Sequence, residues 1–110
     1  MNYKVLTLSV FDRQLKRLAK KYPSIKEDLA RLGEELAEDP TLGKSLGGNL
    51  YKVRLKITSK RTGKAGGARV ITYVKIINET VTLSYIYDKA ERDSVSDDEL
   101  DGLLKLLEGS

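Results

Sequence analysis

The 110-residue chain contains no cysteine and no histidine. The first absence excludes a disulfide framework and a thiol nucleophile, and the second removes the commonest acid/base side chain and the commonest zinc ligand. Neither a metal site nor a cofactor is expected. Any chemistry must come from Lys, Arg, Tyr, Asp, Glu, Ser or Thr. No apolar run approaches the ~20 residues that a membrane helix requires, and no basic leader precedes a hydrophobic stretch. A cytoplasmic protein without membrane association is expected, folded as one domain over residues 1–110, because a chain of this length buries one core and not two.

A further absence is local. Between Pro40 and Asn78 there is no Asp or Glu, while nine Lys or Arg residues are present. The stretch carries +9 in a chain whose net charge is +4, so everything outside it sums to −5. Scattered edge lysines that discourage aggregation do not produce such a run. Concentrated cations gain free energy by releasing the counterions of a polyanion, which points to a nucleic-acid backbone or an acidic protein surface. Three of the cations, Lys52, Arg54 and Lys56, alternate with Tyr51, Val53, Leu55 and Ile57, the pattern of a strand with one apolar and one cationic face.

The rest of the chain divides at its punctuation. Residues 2 to 8 alternate as a short strand. Phe11, Leu15, Leu18 and Tyr22 repeat at helical spacing up to Pro23. Ser24 and Glu27 have capping-box spacing, and Ile25, Leu29, Leu32 and Leu36 form the stripe of a second helix that stops before Pro40. A Gly-rich connection over 41–49 leads to strands at about 50–58, 68–77 and 80–87, the last two joined by a tight hairpin at Asn78-Glu79. Ser96-Asp97-Asp98-Glu99 is a second capping box, opening a helix with Leu100, Leu103, Leu104 and Leu107 on one side. The expected fold is α+β: a four-stranded, mainly antiparallel sheet with the helical hairpin and the last helix on one face. The other face is left to solvent and to Lys52, Arg54 and Lys56.

Gly43-Lys44-Ser45 lacks the upstream glycine of a P-loop and Gly63 to Gly67 opens no helix, so nucleotide binding is rejected. RNA cleavage by its own 2′-OH needs a base for that hydroxyl, cations for the phosphorane and an acid for the leaving 5′-oxygen. Neighbouring cations disfavour one another's protonation, which makes Lys52 the candidate base. Arg54 and Arg69 are the candidate phosphate forks, and Lys89 or Arg92 the acid. Lys56, Lys60, Arg61 and Lys64 are candidate RNA-binding cations, the last three on a flexible Gly-rich tip, and Tyr73 is a candidate stacking platform on the face of Arg69. The rival reading is that Lys52 and Arg54 only position a backbone.

The order of elements resembles the RelE/ParE superfamily of bacterial toxins, and most of all its HigB-type members. The resemblance rests on the Leu50-Tyr51-Lys52-Val53-Arg54 strand entry, the Gly63-Lys64-Ala65-Gly66-Gly67-Ala68-Arg69 hairpin and the Tyr85-Ile86-Tyr87-Asp88-Lys89 strand exit. It implies a ribosome-dependent mRNA endoribonuclease neutralised by a cognate antitoxin, with the ribosome and mRNA as further partners. It matches Lys52 and Arg54 to two family lysines and Arg69 to a family arginine. Where the family has a second arginine after the last strand, this chain has Asp88-Lys89-Ala90 with Arg92 two residues on. A tyrosine that some members carry later has no counterpart in Asp93-Ser94-Val95-Ser96. The superfamily also contains gyrase poisons of the ParE type, which need no catalytic constellation, and a non-catalytic RNA- or antitoxin-binding relative would keep the same fold.

Overall fold

The computed structural model describes residues 2–60 and 66–109. Their elements run β1 (Lys4–Thr7), α1 (Ser9–Lys21), α2 (Ile25–Glu38), β2 (Lys44–Gly47), β3 (Leu50–Leu55), a 3-10 turn (Thr58–Lys60), β4 (Ala68–Lys75), β5 (Thr80–Asp88) and α3 (Asp97–Glu108). The sheet order is β1-β5-β4-β3-β2, with β1 parallel to β5 and every other pairing antiparallel. The α+β class stands as expected, but the sheet has five strands rather than four. The additional strand β2 lies in the Gly-rich connection and folds back on β3 through Gly48-Asn49. Both residues have positive φ, 60° and 67°, the combination of a two-residue hairpin turn whose twist matches its strands. The β4–β5 hairpin is longer than the Asn78-Glu79 corner expected. It spans residues 76–79, with Glu79 at φ 52° and its N–H donating to the Ile76 carbonyl.

Alternation along the strands gives the sheet two apolar faces. Val53, Leu55 and Ile57 join Val70, Val81 and Leu83 under Phe11 and Leu18 of α1 and Ile25, Leu29, Leu32 and Leu36 of α2. On the opposite face Leu50, Ile71 and Tyr73 pack with Leu103 and Leu107 of α3. The expectation that all helices share one face is therefore corrected: α3 crosses to the second face and covers the end bearing Leu50 and Tyr73. Lys52 and Arg54 emerge beside it, in line with Leu50 by the two-residue period of the strand.

The two Ser-x-x-Glu sequences behave differently. Ser96 caps α3 as expected, accepting from the Glu99 N–H while the Glu99 carboxylate accepts from the Ser96 N–H. Ser24 makes no side-chain cap bond and has helical backbone angles; its hydroxyl donates to Asp28 instead. The capping box expected at Ser24 and Glu27 does not form, because a buried carboxylate one turn on takes the hydroxyl.

Candidate functional site

The β3–β4 register sets Arg54 opposite Arg69, Lys52 opposite Ile71 and Leu50 opposite Tyr73. Two arginines directly across an antiparallel pair repel one another. Arg54 is exposed and Lys52 half-buried, while Arg69 is only 7% exposed, its guanidinium donating to the Ala68 carbonyl at 3.1 Å. β2 pairs with β3 only as far as Lys52. Past that point a groove of about 800 Å³ follows the edge of β3, walled on the other side by α2 and the segment entering β2. Lys52, Arg54, Lys56, Arg69 and Lys89 all line it, joined by Lys44 and Arg31.

The groove end of the sheet is closed by two buried carboxylates, Asp88 beside the Arg54–Arg69 rung and Asp28 in the groove wall. Asp88, the last residue of β5, is 0% exposed and accepts from Lys60 Nζ at 2.6 Å, from the Ala90 N–H at 2.9 Å and from the Tyr22 hydroxyl. Burial pushes this carboxyl up, yet the bonds from Lys60, Tyr22 and Ala90 outweigh it and hold the group below its ordinary range. The Tyr22 phenol is pushed up to about 12 by burial and by donating to Asp88. Asp28 of α2 accepts from the Thr58 N–H at 2.9 Å, from the Thr58 hydroxyl, from Ser24 and from Arg31. Burial raises the Asp28 carboxyl too, and the Thr58 and Ser24 bonds override it and hold it low. The 3-10 turn that follows β3 is thus gripped from two sides, by Asp28 at Thr58 and by Asp88 at Lys60.

Arg92 is engaged elsewhere. Its guanidinium forms a two-pronged pair with Glu99, donates to the Tyr85 hydroxyl at 3.0 Å, and lies 5.9 and 5.7 Å from the ring centres of Tyr85 and Tyr87. The Arg92 bonds, reinforced by the Ser96 N–H, hold the Glu99 carboxyl down at about 2. The N-terminal cap of α3 is therefore tied to the segment after β5.

Four of the five residues expected to catalyse, Lys52, Arg54, Arg69 and Lys89, meet in one groove together with Lys56. Lys89 sits 3.6 Å from the exposed Asp93 carboxylate. Arg92 does not line that groove, and its fork is filled by Glu99, which corrects its assignment as the acid. Lys60 is neither exposed nor on a flexible tip: its side chain is 14% exposed and neutralises Asp88. Tyr73 lies beneath α3 at 8% exposure, so its ring is spent on packing and not on stacking a base. Arg61 and Lys64 fall outside the described residues. Sequence reasoning passed over Asp28 and Asp88, and over the pairing of the capping-box residue Glu99 with Arg92. For Asp88 a signal was available: an acid ending an otherwise apolar and aromatic strand needs a buried partner, and the acid-free stretch offers several cations. Among the described residues no group of three or more acidic side chains is placed to hold a metal ion, and no helix is long and apolar enough to cross a membrane.

The described residues thus form a small α+β domain of the toxin-like kind, with cations converging along the edge of β3. Residues 8–108 match the profile of the RelE toxin of the RelE/RelB toxin-antitoxin system, and the chain belongs to that family. Among solved structures, it superposes on a double arginine-to-alanine mutant of E. coli toxin RelE in the free state with a TM-score of 0.64 at 19% identity, covering 97% of this chain and 99% of that one. The isolated E. coli RelE toxin gives 0.61 at 16% identity, covering 94% and 98%. A chain of the intact E. coli RelBE toxin-antitoxin complex gives 0.60 at 18% identity, covering 78% and 95%. These likenesses show the fold. Compared by sequence with curated proteins, the chain finds no match.

Proposed function

We propose that this toxin is a ribosome-dependent mRNA endoribonuclease of the cytoplasm, related to the HigB-type branch and silenced by a cognate antitoxin. The observation that carries the reading is the meeting of Lys52, Arg54, Arg69 and Lys89 in one groove, with the two arginines directly opposed. Lys52 accepts the 2′-OH proton of the bound strand. The 2′-oxygen bonds to phosphorus, and Arg54 and Arg69 take up the charge developing on the phosphorane oxygens. The bond to the 5′-oxygen then breaks, and Lys89 gives that oxygen its proton, leaving a 2′,3′-cyclic phosphate and a 5′-hydroxyl. The complex formed by E. coli RelE with its antitoxin supports a protein partner here as well.

Lys52 separates chemistry from positioning. Lys52→Arg keeps the charge but cannot release a proton near neutrality, so it is expected to bind ribosomes and not cleave, while Lys52→Ala loses both. An Arg variant that cleaves like the parent would move the base elsewhere. A second reading has one observation in its favour: with the Arg92 fork filled by Glu99, the groove would serve equally to hold RNA or an antitoxin without cutting. A ParE-like gyrase poison would instead give DNA breaks with mRNA intact.

A further inference from the structure

The cations outside the groove are as unevenly distributed as those within it. Seven residues of α1 are exposed: Ser9, Asp12 and the five cations Arg13, Lys16, Arg17, Lys20 and Lys21. At 100° per residue, Arg13, Lys16, Arg17 and Lys20 fall within about 100° of arc, and Arg13 lies about 10 Å along the axis from Lys20. A favourable helix dipole accounts for Lys20 and Lys21 in the last turn, but not for Arg13 and Lys16. The partner helix of the hairpin differs: α2 exposes Glu27, Glu34, Glu35 and Glu38 against Lys26 and Arg31. Arg13, Lys16 and Lys20 make no ion pair among the described residues. The other two point toward the groove end of the sheet. Arg17 pairs with Glu91 at 3.0 Å, and Lys21 reaches to 3.8 Å from Asp88, the residue before Lys89.

We infer that the outer face of α1 is a second polyanion-binding surface, which seats on structured RNA of the ribosome while the sheet edge engages the message. The inference rests on the ribosome-directed reading above. RNA is favoured over an acidic protein because the exposed face of α1 holds no apolar residue. The large exposed apolar side chains, Leu6, Ile76, Ile77 and Leu106, all lie outside α1. A protein interface draws its energy from buried apolar anchors, whereas a phosphate backbone asks only for cations. The surface continues around the sheet end through Lys21 and Lys89, so two contacts fix the orientation of the groove on the particle. Contacts of this kind carry no sequence information and set register and on-rate.

The test is the variant Arg13→Gln/Lys16→Gln/Lys20→Gln, all exposed positions replaced by a good helix former. Its affinity for purified ribosomes is measured by sedimentation between 50 and 200 mM salt, beside that of the parent. Three lost phosphate contacts are expected to make the slope of log affinity against log salt less negative by about 2. The parent's affinity then falls roughly 15-fold more than the variant's across that range. A slope unchanged and an affinity within twofold of the parent would overturn the inference, as would a parent that does not bind ribosomes. So would a variant that keeps its ribosome affinity and loses antitoxin binding instead. Salt-dependent, α1-dependent binding by a parent that cuts no RNA would sustain this surface and remove only the nuclease reading.

Discussion

Replacing Asp88 with alanine removes the common partner of three groups at once. Lys60 Nζ, the Tyr22 hydroxyl and the Ala90 N–H all donate to this fully buried carboxylate. Loss of one member of a buried ion pair strands the other charge, at a cost of about 3–5 kcal/mol. That is a large fraction of the 5–15 kcal/mol on the order of which small domains are stable. With an unfolding entropy of about 2.1 cal/mol/K per residue, each kcal/mol moves the midpoint of a chain this long by ~4 °C. Asp88→Ala is therefore expected to lower Tm by about 13–22 °C in a thermal scan followed by circular dichroism at pH 7. The double variant Asp88→Leu/Lys60→Met, with neither charge left, is expected to lie closer to the parent than either single change. Because the Asp88 carboxyl titrates lower when folded, its contribution is complete above the ordinary value of 3.8 and is lost as pH falls through the folded value. The gap between parent and Asp88→Ala should then close in acid. A Tm drop below about 4 °C at pH 7 would show that Lys60 and Tyr22 do not depend on this carboxylate.

Three further outcomes follow from named contacts. Glu99→Gln breaks the fork to Arg92; the pair is about a third exposed, so the expected loss is only about 1 kcal/mol, seen in urea melts and reduced in high salt. The sign with pH is again that of a depressed carboxyl: the Glu99 contribution is full above 4.5 and vanishes as pH falls through about 2. A β-carbon added at Gly67 would stand 2.1 Å from the Leu55 carbonyl oxygen, so Gly67→Ala must part β3 from β4 where Leu55 faces Ala68; a drop in the urea midpoint worth about 2–3 kcal/mol is expected. Arg54→Gln removes one of two opposed cations, so it is expected to weaken RNA binding while leaving Tm equal to or above that of the parent.

The elements were legible where one period dominated. The Phe11-Leu18 and Leu29-Leu36 stripes, the Val70-Val74 and Val81-Ile86 strands and the Ser96 cap all form where local pattern put them. Local pattern failed where a distant residue decided. Ser24 carries the same capping sequence as Ser96, but Asp28, drawn inward to hold Thr58, takes its hydroxyl. Strand β2 hid in a Gly-rich stretch because Gly48-Asn49 inverts the more familiar Asn-Gly turn. The face covered by α3 could not be read from its stripe, since a stripe says which side of a helix is buried and not against what. For the same reason the cationic strand face was seen from sequence, whereas the removal of Tyr73, Lys60 and Arg92 from the candidate site depended on the packing of α3 and on two carboxylates, Asp88 far along the chain from Lys60 and Glu99 at the start of α3.

The central claim is that the groove cuts message on the ribosome. Purified toxin added to a reconstituted translation system, with the 5′ ends of the mRNA mapped, tests it most directly. The account predicts new 5′-hydroxyl ends within codons in the presence of translating ribosomes, none on the same mRNA without them, and none with the exposed-site variant Arg54→Gln. Intact mRNA with the parent protein under translation would contradict it.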